Sequence, residues 1–312
     1  VVGYGQLSLG KAVMYSIART MPACPILLQV MLPTTDQAPA GLPVLPFGMN
    51  RLWFKMIMMG ASKSLPELHE KAKAGLGIDF TDTLTVEYFN RFFYDLPALP
   101  APSFVGISTA VIPRHPEWPV VNLNLCGFFI IDKETQEGLA KDNKKGAQFG
   151  ADSHDELMRF VQAGTPPVYL GWGSMFCKSA EFMSRVAVEA VRHAGVRAVI
   201  CAGWAGLSLE TTPAELHDFC RDNVLFVKSA PHEVLFPHCS CIVHHGGSGT
   251  TAASVRSGKP TVIVPVMGDQ YDFAEGLNRI GCGVGLPHFS KVTGEKLGDA
   301  IKKCTEDPGI IA

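Results

Sequence analysis

The sequence has no run of about 18 uncharged apolar residues, so no membrane-spanning helix is expected from it. Its most apolar N-terminal stretch, residues 12–32, is interrupted by Arg19 and two prolines. It also lacks a signal-peptide pattern. Beginning at Val1 rather than Met, the chain reads as a fragment or a processed form. It has no basic surplus: 27 Lys and Arg against 29 Asp and Glu leave a net charge of −2, and no Lys/Arg block occurs. Nucleic acid is therefore not an expected partner. No CxxC pair is found among the nine scattered cysteines, which read as reduced thiols of a cytoplasmic protein.

What the sequence does hold is apolar material. With 47% hydrophobic and 18% charged residues, 312 residues suffice for two domains of roughly 150 residues each. Residues 1–131 carry short apolar runs broken by prolines, as in Leu96-Pro97-Ala98-Leu99-Pro100-Ala101-Pro102. Residues 132–165 turn polar and are expected to link the domains. Ser153-His154-Asp155-Glu156 has the form of a capping box opening a helix through Leu157, Phe160 and Val161.

From 166 to 312 the pattern is regular. Apolar segments at 168–170, 197–202, 224–227, 241–243 and 261–264 alternate with helical periodicity at 180–193, after Ser248, at 270–280 and at 295–303. Short continuous apolar strands between helices predict a doubly wound α/β domain around a parallel sheet. Ligands of such sheets bind at the carboxyl ends of the strands, beside helix N-termini.

The densest motif lies at such a junction: His244-His245-Gly246-Gly247-Ser248-Gly249-Thr250-Thr251. Its glycines allow a sharp turn, and Ser248, Gly249 and Thr250 would offer first-turn N–H groups to a diphosphate, with His244 as a further donor. A bare glycine turn is the alternative. Asp269 and Gln270, at the end of the next strand, would suit the hydroxyls of a sugar, although Asp269 could equally cap its helix. Ser174, after the first strand, would add a group facing phosphate. Ala230 would pair with the edge of a base and His232 would pack on its face, unless Pro231 simply starts a helix. The cluster His238-Cys239-Ser240-Cys241 matches no zinc-finger spacing, and Cys239 and Cys241 read as core residues alternating along a strand. Residues 49–59, apolar with two cations, read as a helix in the core of the first domain, with a soft acceptor wall or a membrane-touching helix as the alternatives.

Taken in order, 167–175, 229–232, 244–251 and 258–270 resemble the UDP-sugar-dependent glycosyltransferases of family 1, in particular the sterol 3-beta-glucosyltransferases and related antibiotic glycosyltransferases, which share the double histidine before the glycines. Segments 28–35, 90–92 and 117–132 fit the same subgroup more loosely. The resemblance implies a GT-B architecture of two Rossmann-like domains with parallel sheets: an acceptor domain at 1–131, a linker at 132–165 and a nucleotide-sugar domain at 166–312. It implies an inverting, metal-independent hexosyl transfer, of glucose in the first instance, with a UDP-sugar as co-substrate and a lipophilic alcohol, a sterol, as acceptor. Ser174, Ala230, His232, His244, Gly247, Ser248, Gly249, Thr250, Asp269 and Gln270 would form the donor site. Two departures stand out. Thr251-Ala252-Ala253-Ser254 offers no ribose-binding carboxylate, and the Gly-Ser-x-Gly-Asp opening of the family is not matched near Val1. The second departure implies an N-terminal domain truncated at its start and leaves the general base unassigned. A nucleotide-sugar epimerase on the same plan and a silent nucleotide-sugar or lipid-binding module are the rival readings.

Overall fold

The computed structural model describes residues 2–4, 24–27, 34–39, 41–63, 65–77, 98–141, 150 and 153–311. The sequence matches at 28–33 and 90–92 and the polar run 142–149 lie outside the described residues. The chain divides into two compact units, 1–128 and 129–312.

Among the described residues of the first unit, four parallel strands follow chain order across the sheet: β1 (Val2–Tyr4), β2 (Cys24–Leu27), β3 (Ala98–Val105) and β4 (Val121–Leu125). The proline-broken run is thus largely a strand. Its ladder with β4 shifts register between Ala98 and Ser103, where Pro100 and Pro102 have no N–H to give. Between β2 and β3 the described residues include the helices α1 (Arg51–Ser62) and α2 (Leu65–Leu76). On α1 Phe54 is buried, whereas Leu52, Met56 and Met59 are exposed, so the stretch 49–59 is only partly a core helix.

The second unit begins with α3 (Lys133–Ala140) and α4 (His154–Gln162). The described parts of the segment expected to be a linker, 132–141 and 153–165, therefore carry helices that belong to this unit. Leu157 and Val161 of α4 lie in the same core as Tyr169 and Val199. The capping box is not formed, since the Ser153 side chain makes no capping hydrogen bond.

Six parallel strands follow: β5 (Val168–Gly171), β6 (Ala198–Cys201), β7 (Val224–Val227), β8 (Cys241–His244), β9 (Thr261–Ile263) and β10 (Gly283–Gly285). Their order across the sheet is β10-β9-β8-β5-β6-β7. The connecting helices are α5 (Ala180–Ala194), α6 (His217–Asn223), α7 (His232–Leu235), α8 (Ser248–Arg256) and α9 (Gln270–Ile280), and α10 (Gly294–Glu306) and α11 (Pro308–Ile311) close the chain. The period of two along each strand sorts side chains into two cores. Val168, Leu170, Ala198, Ile200, Cys241, Val243 and Val262 pack on one face with Met183, Val191, Leu297 and Ile301 of α5 and α10. Tyr169, Val199, Cys201 and Ile242 pack on the other with Leu157, Leu235 and Ala253. This is the expected doubly wound arrangement. The α5 helix ends as the sequence suggests, with Gly195 left-handed at φ 68° and Ser179 capping its start. Among the described residues no helix is long and apolar enough to cross a membrane.

Candidate functional site

The chain lays down β5, runs outward through β6 and β7, then returns to the other side of β5 with β8. The switch point lies between β5 and β8, where connections leave in opposite directions and open a crevice at the carboxyl ends. Gly171 at the end of β5 is in register with His244 at the end of β8. The turns after both strands, 172–175 and 245–247, therefore adjoin.

The 245–247 turn leads into α8. Its N-cap is Gly247, which has no side chain to cap the helix. The first-turn N–H groups, from Ser248 to Thr250, thus meet no side-chain cap, and the first intrahelical bond noted at this end is Thr251 N–H to the Gly247 carbonyl at 2.8 Å. Gly246 holds φ 96°, and a Cβ there would stand 2.9 Å from both the Gln270 carbonyl oxygen and Ile263 Cγ2. Only glycine fits, and its fit brings the 244–250 and 265–270 motifs into contact.

The two histidines do different things. His244 is fully buried. Its Nδ1 accepts the Gly246 N–H at 2.9 Å, which leaves Nε2 protonated and facing Ser254 Oγ at 3.4 Å. Expected to donate to a phosphate, it instead pins the turn from inside, because β8 alternation points it with Ile242 toward α8. His245 lies just beyond the strand. Its ring is wedged between Gly173 and Gly247, whose added Cβ atoms would come within 3.1 Å and 2.5 Å of it. It is 9% exposed, and its Nδ1 has no protein partner. Burial holds His244 well below the usual imidazole range, with His245 and His232 adding to the effect. Burial likewise brings His245 down to about 4 against an opposing contact with the Gly171 backbone. Both rings are neutral at pH 7, so the turn attracts an anion through dipoles and N–H groups rather than through histidine charge.

The other expected site residues divide in the same way. Ser174 is exposed in the turn after β5. Asp269 stands at the N-cap position of α9 but makes no capping hydrogen bond, and burial lifts its carboxyl to about 6. Gln270 is buried and largely spent. Its amide oxygen accepts from Val266 N–H (2.7 Å) and Met267 N–H (3.0 Å), and its nitrogen reaches Met175 Sδ at 3.1 Å. It holds the strand-to-helix turn and keeps one amide hydrogen for anything else. His232 does not offer a free face: it stacks on Phe236 at 4.5 Å and bonds Tyr169 Oη at 3.1 Å. Ala230 is buried, and Gly150 comes so close that a Cβ there would lie 2.5 Å from the Ser229 carbonyl oxygen. Thr251 and Ser254, in place of a ribose carboxylate, are both buried.

Cys239 and Cys241 lie in different cores, because Cys239 precedes β8 rather than belonging to it, so they do not share a site. In the first unit Asp36, His115 and Glu117 have ligand atoms within 4.8 Å of one another. Both nitrogens of His115 are engaged, Nδ1 with the Glu117 N–H and Nε2 with Asp36, which leaves no lone pair for a cation.

The sequence reading passed over Trp204, in the loop after β6, which is 85% exposed. The signal was available in Ala202-Gly203-Trp204, a bulky aromatic just past a strand's carboxyl end.

Comparison with known proteins agrees with this geometry. The profile of the erythromycin biosynthesis protein CIII-like C-terminal domain matches residues 207–312. A sterol 3-beta-glucosyltransferase of Candida albicans is 32% identical over 221 residues, covering 70% of this chain and 14% of that protein. Another, UGT80A2 of Arabidopsis thaliana, is 32% identical over 200 residues, 64% of this chain and 28% of that protein. The chain thus spans less than a third of the length of these two relatives. Among solved structures, Os79 from O. sativa in complex with UDP superposes with a TM-score of 0.58 at 14% identity, over 98% of this chain and 69% of that one. UGT2 of Phytolacca americana, complexed with UDP-2fluoro-glucose and pterostilbene, gives 0.58 at 16% identity, over 99% and 67%. These likenesses are of fold, and the fold is GT-B.

Proposed function

Because the chain belongs to the GT-B glycosyltransferases of family 1, we propose that it serves the transfer of a hexose, glucose in the first instance, from a UDP-sugar to the hydroxyl of a sterol-like lipophilic alcohol, with inversion. The observation that carries this reading is the switch-point turn: a helix N-terminus without a side-chain cap, closed on one side by the unpartnered Nδ1 of His245. Such a site stabilises the leaving diphosphate with fixed dipoles and needs no cation to do so. Asp269, which precedes Gln270 where that residue meets Gly246, is the group we assign to the sugar. The relatives named as sterol glucosyltransferases support the acceptor class. Incubation of the chain with UDP-glucose and a sterol, scored for sterol glucoside and UDP, tests the reading. UDP release that needs no acceptor would favour the epimerase-type rival, and binding without turnover would favour the silent module.

Asp269 makes the reading pH-dependent. A carboxylate accepts from sugar hydroxyls at both oxygens, and protonation removes part of that capacity. With its carboxyl near 6, the preference for UDP-glucose over UDP should fall as pH drops from 8 through 6. Calorimetric titration of both ligands at each pH reads the ratio, in which any loss of folded protein cancels. A ratio constant over that range, or unchanged in Asp269→Asn, removes Asp269 from the sugar site.

The proposed setting is cytoplasmic, with a peripheral membrane contact on the first unit. Phe47, 96% exposed, and the exposed Leu52, Lys55 and Met56 of α1 lie in the same segment of the chain. That mixture suits an anionic bilayer surface. Flotation with anionic vesicles should recover the chain and should recover less of a Phe47→Ser/Met56→Ser variant. Equal recovery of both would dismiss the contact.

A further inference from the structure

The phosphate turn occupies one end of α8, and the other end is tied to the first helix of the same unit. Arg256 lies in the last turn of α8, where a cation complements the helix dipole. Its Nε donates to Glu233 Oε1 at 3.4 Å. The Glu233 side chain is 10% exposed, so a largely buried carboxylate is matched by this cation. The backbone of Glu233 continues the series. Its N–H is a first-turn donor of the short helix α7, which no intrahelical carbonyl can take. It donates instead to Oε1 of Gln136 on α3 at 3.2 Å, across 97 residues of chain. Gln136 Nε2 in turn donates to the Ile131 carbonyl at 2.9 Å. Ile131 belongs to 129–132, the residues that lead from the unit boundary into α3.

The seating of α3 is unusual for a helix of this unit. Among its described side chains Gln136 is the buried one, while Glu137 and Leu139 are half-buried. By contrast α4 is held by buried Leu157 and Val161. A helix seated through an amide rather than an apolar stripe opens locally at low cost, because hydrogen bonds exchange with water far more evenly than buried apolar surface does. At the opposite end of the series, α8 is nine residues long, about 12 Å, and acts as a rod. Ala253 of α8 and Leu235 of α7 share one core, so the two helices are packed as well as bonded in series.

We propose that Arg256, Glu233 and Gln136 are positioning residues that couple the diphosphate turn to α3 and to residues 129–132. An anion seated on the N-terminus of α8 fixes that helix, and the series of bonds passes the restraint to the weakly seated α3. This rests on the reading of the 244–250 turn as the diphosphate site. The test is hydrogen exchange of the backbone amides with and without saturating UDP. The reference is α10, whose Leu297 and Ile301 lie in the other core. In the wild-type chain UDP should slow exchange over α3, relative to α10, by at least about fivefold. Arg256→Met, an exposed site whose pair is with Glu233, should abolish that slowing while α3 exchanges as in wild type without UDP. Arg256→Lys should keep the slowing. Gln136→Met, which keeps the size and removes both hydrogen bonds, should exchange fast with and without UDP. UDP titration of each variant sets saturation, so weaker binding does not mimic a lost coupling. Equal slowing in wild type and Arg256→Met, no slowing in a UDP-saturated wild type, or its loss in Arg256→Lys would each overturn the coupling. A wild-type chain that binds no UDP would instead overturn the reading of the turn, and the titration shows this before any exchange is measured.

Discussion

Acidification from pH 7.5 to 5 is expected to destabilise the second unit, through three histidines held without charge, His244 and His245 buried and His232 partly buried. In the unfolded chain an imidazole titrates near 6.5. In the fold, burial brings His232 down to about 4, with His245 adding to the effect, and brings His245 to about 4. His244 lies lower still. The unfolded state therefore binds more protons below pH 6.5, and stability, fully present above that value, is lost as pH falls toward the folded values. At pH 5 the loss is on the order of 2 kcal/mol from each of His232 and His245, and His244 acts in the same direction. Asp269 works the other way, since its raised carboxyl favours the folded state in acid, on the order of 1 kcal/mol over the same interval, and Asp272, lifted to about 7 by burial and by the neighbouring Asp269 and Glu275 carboxylates, acts in the same sense. The net loss should lower the melting temperature by about 5–12 °C, at about 2–4 °C per kcal/mol for a unit of this size. Thermal melts at pH 7.5, 6 and 5 measure it, and His245→Asn should flatten part of the slope. A melting temperature constant across that range would mean that these rings are solvated in solution.

The second large effect separates the adjacent histidines. His244→Ala removes a fully buried ring from the end of a central strand and leaves the Gly246 N–H without its acceptor. Cavity formation and an orphaned donor together should cost about 3–5 kcal/mol. His245→Ala removes a ring already short of a partner and should change stability far less. Its effect should fall on the ligand: UDP and UDP-glucose should weaken alike by about 5- to 10-fold, the loss of one neutral hydrogen bond. Chemical denaturation and UDP titration of both variants give a two-by-two outcome. If His244→Ala is as stable as wild type and loses UDP, while His245→Ala binds normally, the roles are reversed and His244 is the phosphate ligand.

The second unit was largely legible in the sequence. Its strands are apolar on both faces and its helices carry one apolar stripe, because a parallel sheet covered on both sides demands it. The glycine turn was equally legible, since the left-handed φ at Gly246 and the close approach at Gly247 admit no other residue. The first unit was less so. The prolines of β3 disguised a strand that keeps its place in the sheet by shifting register around them.

Which side chains meet a ligand was decided only by the tertiary structure. His244 and His245 are neighbours of one type, and the difference between them is one step of strand alternation that turns the first ring toward Ser254 and leaves the second outside. Gln270 was drawn into its own turn because its amide oxygen accepts two backbone N–H groups, at Val266 and Met267, that would otherwise need partners. His232 was claimed by Tyr169 and Phe236, from elements that sequence distance does not bring together. The stretch 132–165 is polar enough to read as a linker, yet Leu157 and Val161 suffice to seat α4 in the second core. Sequence determined the period, the turn chemistry and hence the fold. Burial is a property of what packs from elsewhere, and so only the folded chain could set Trp204 outside and His244 within.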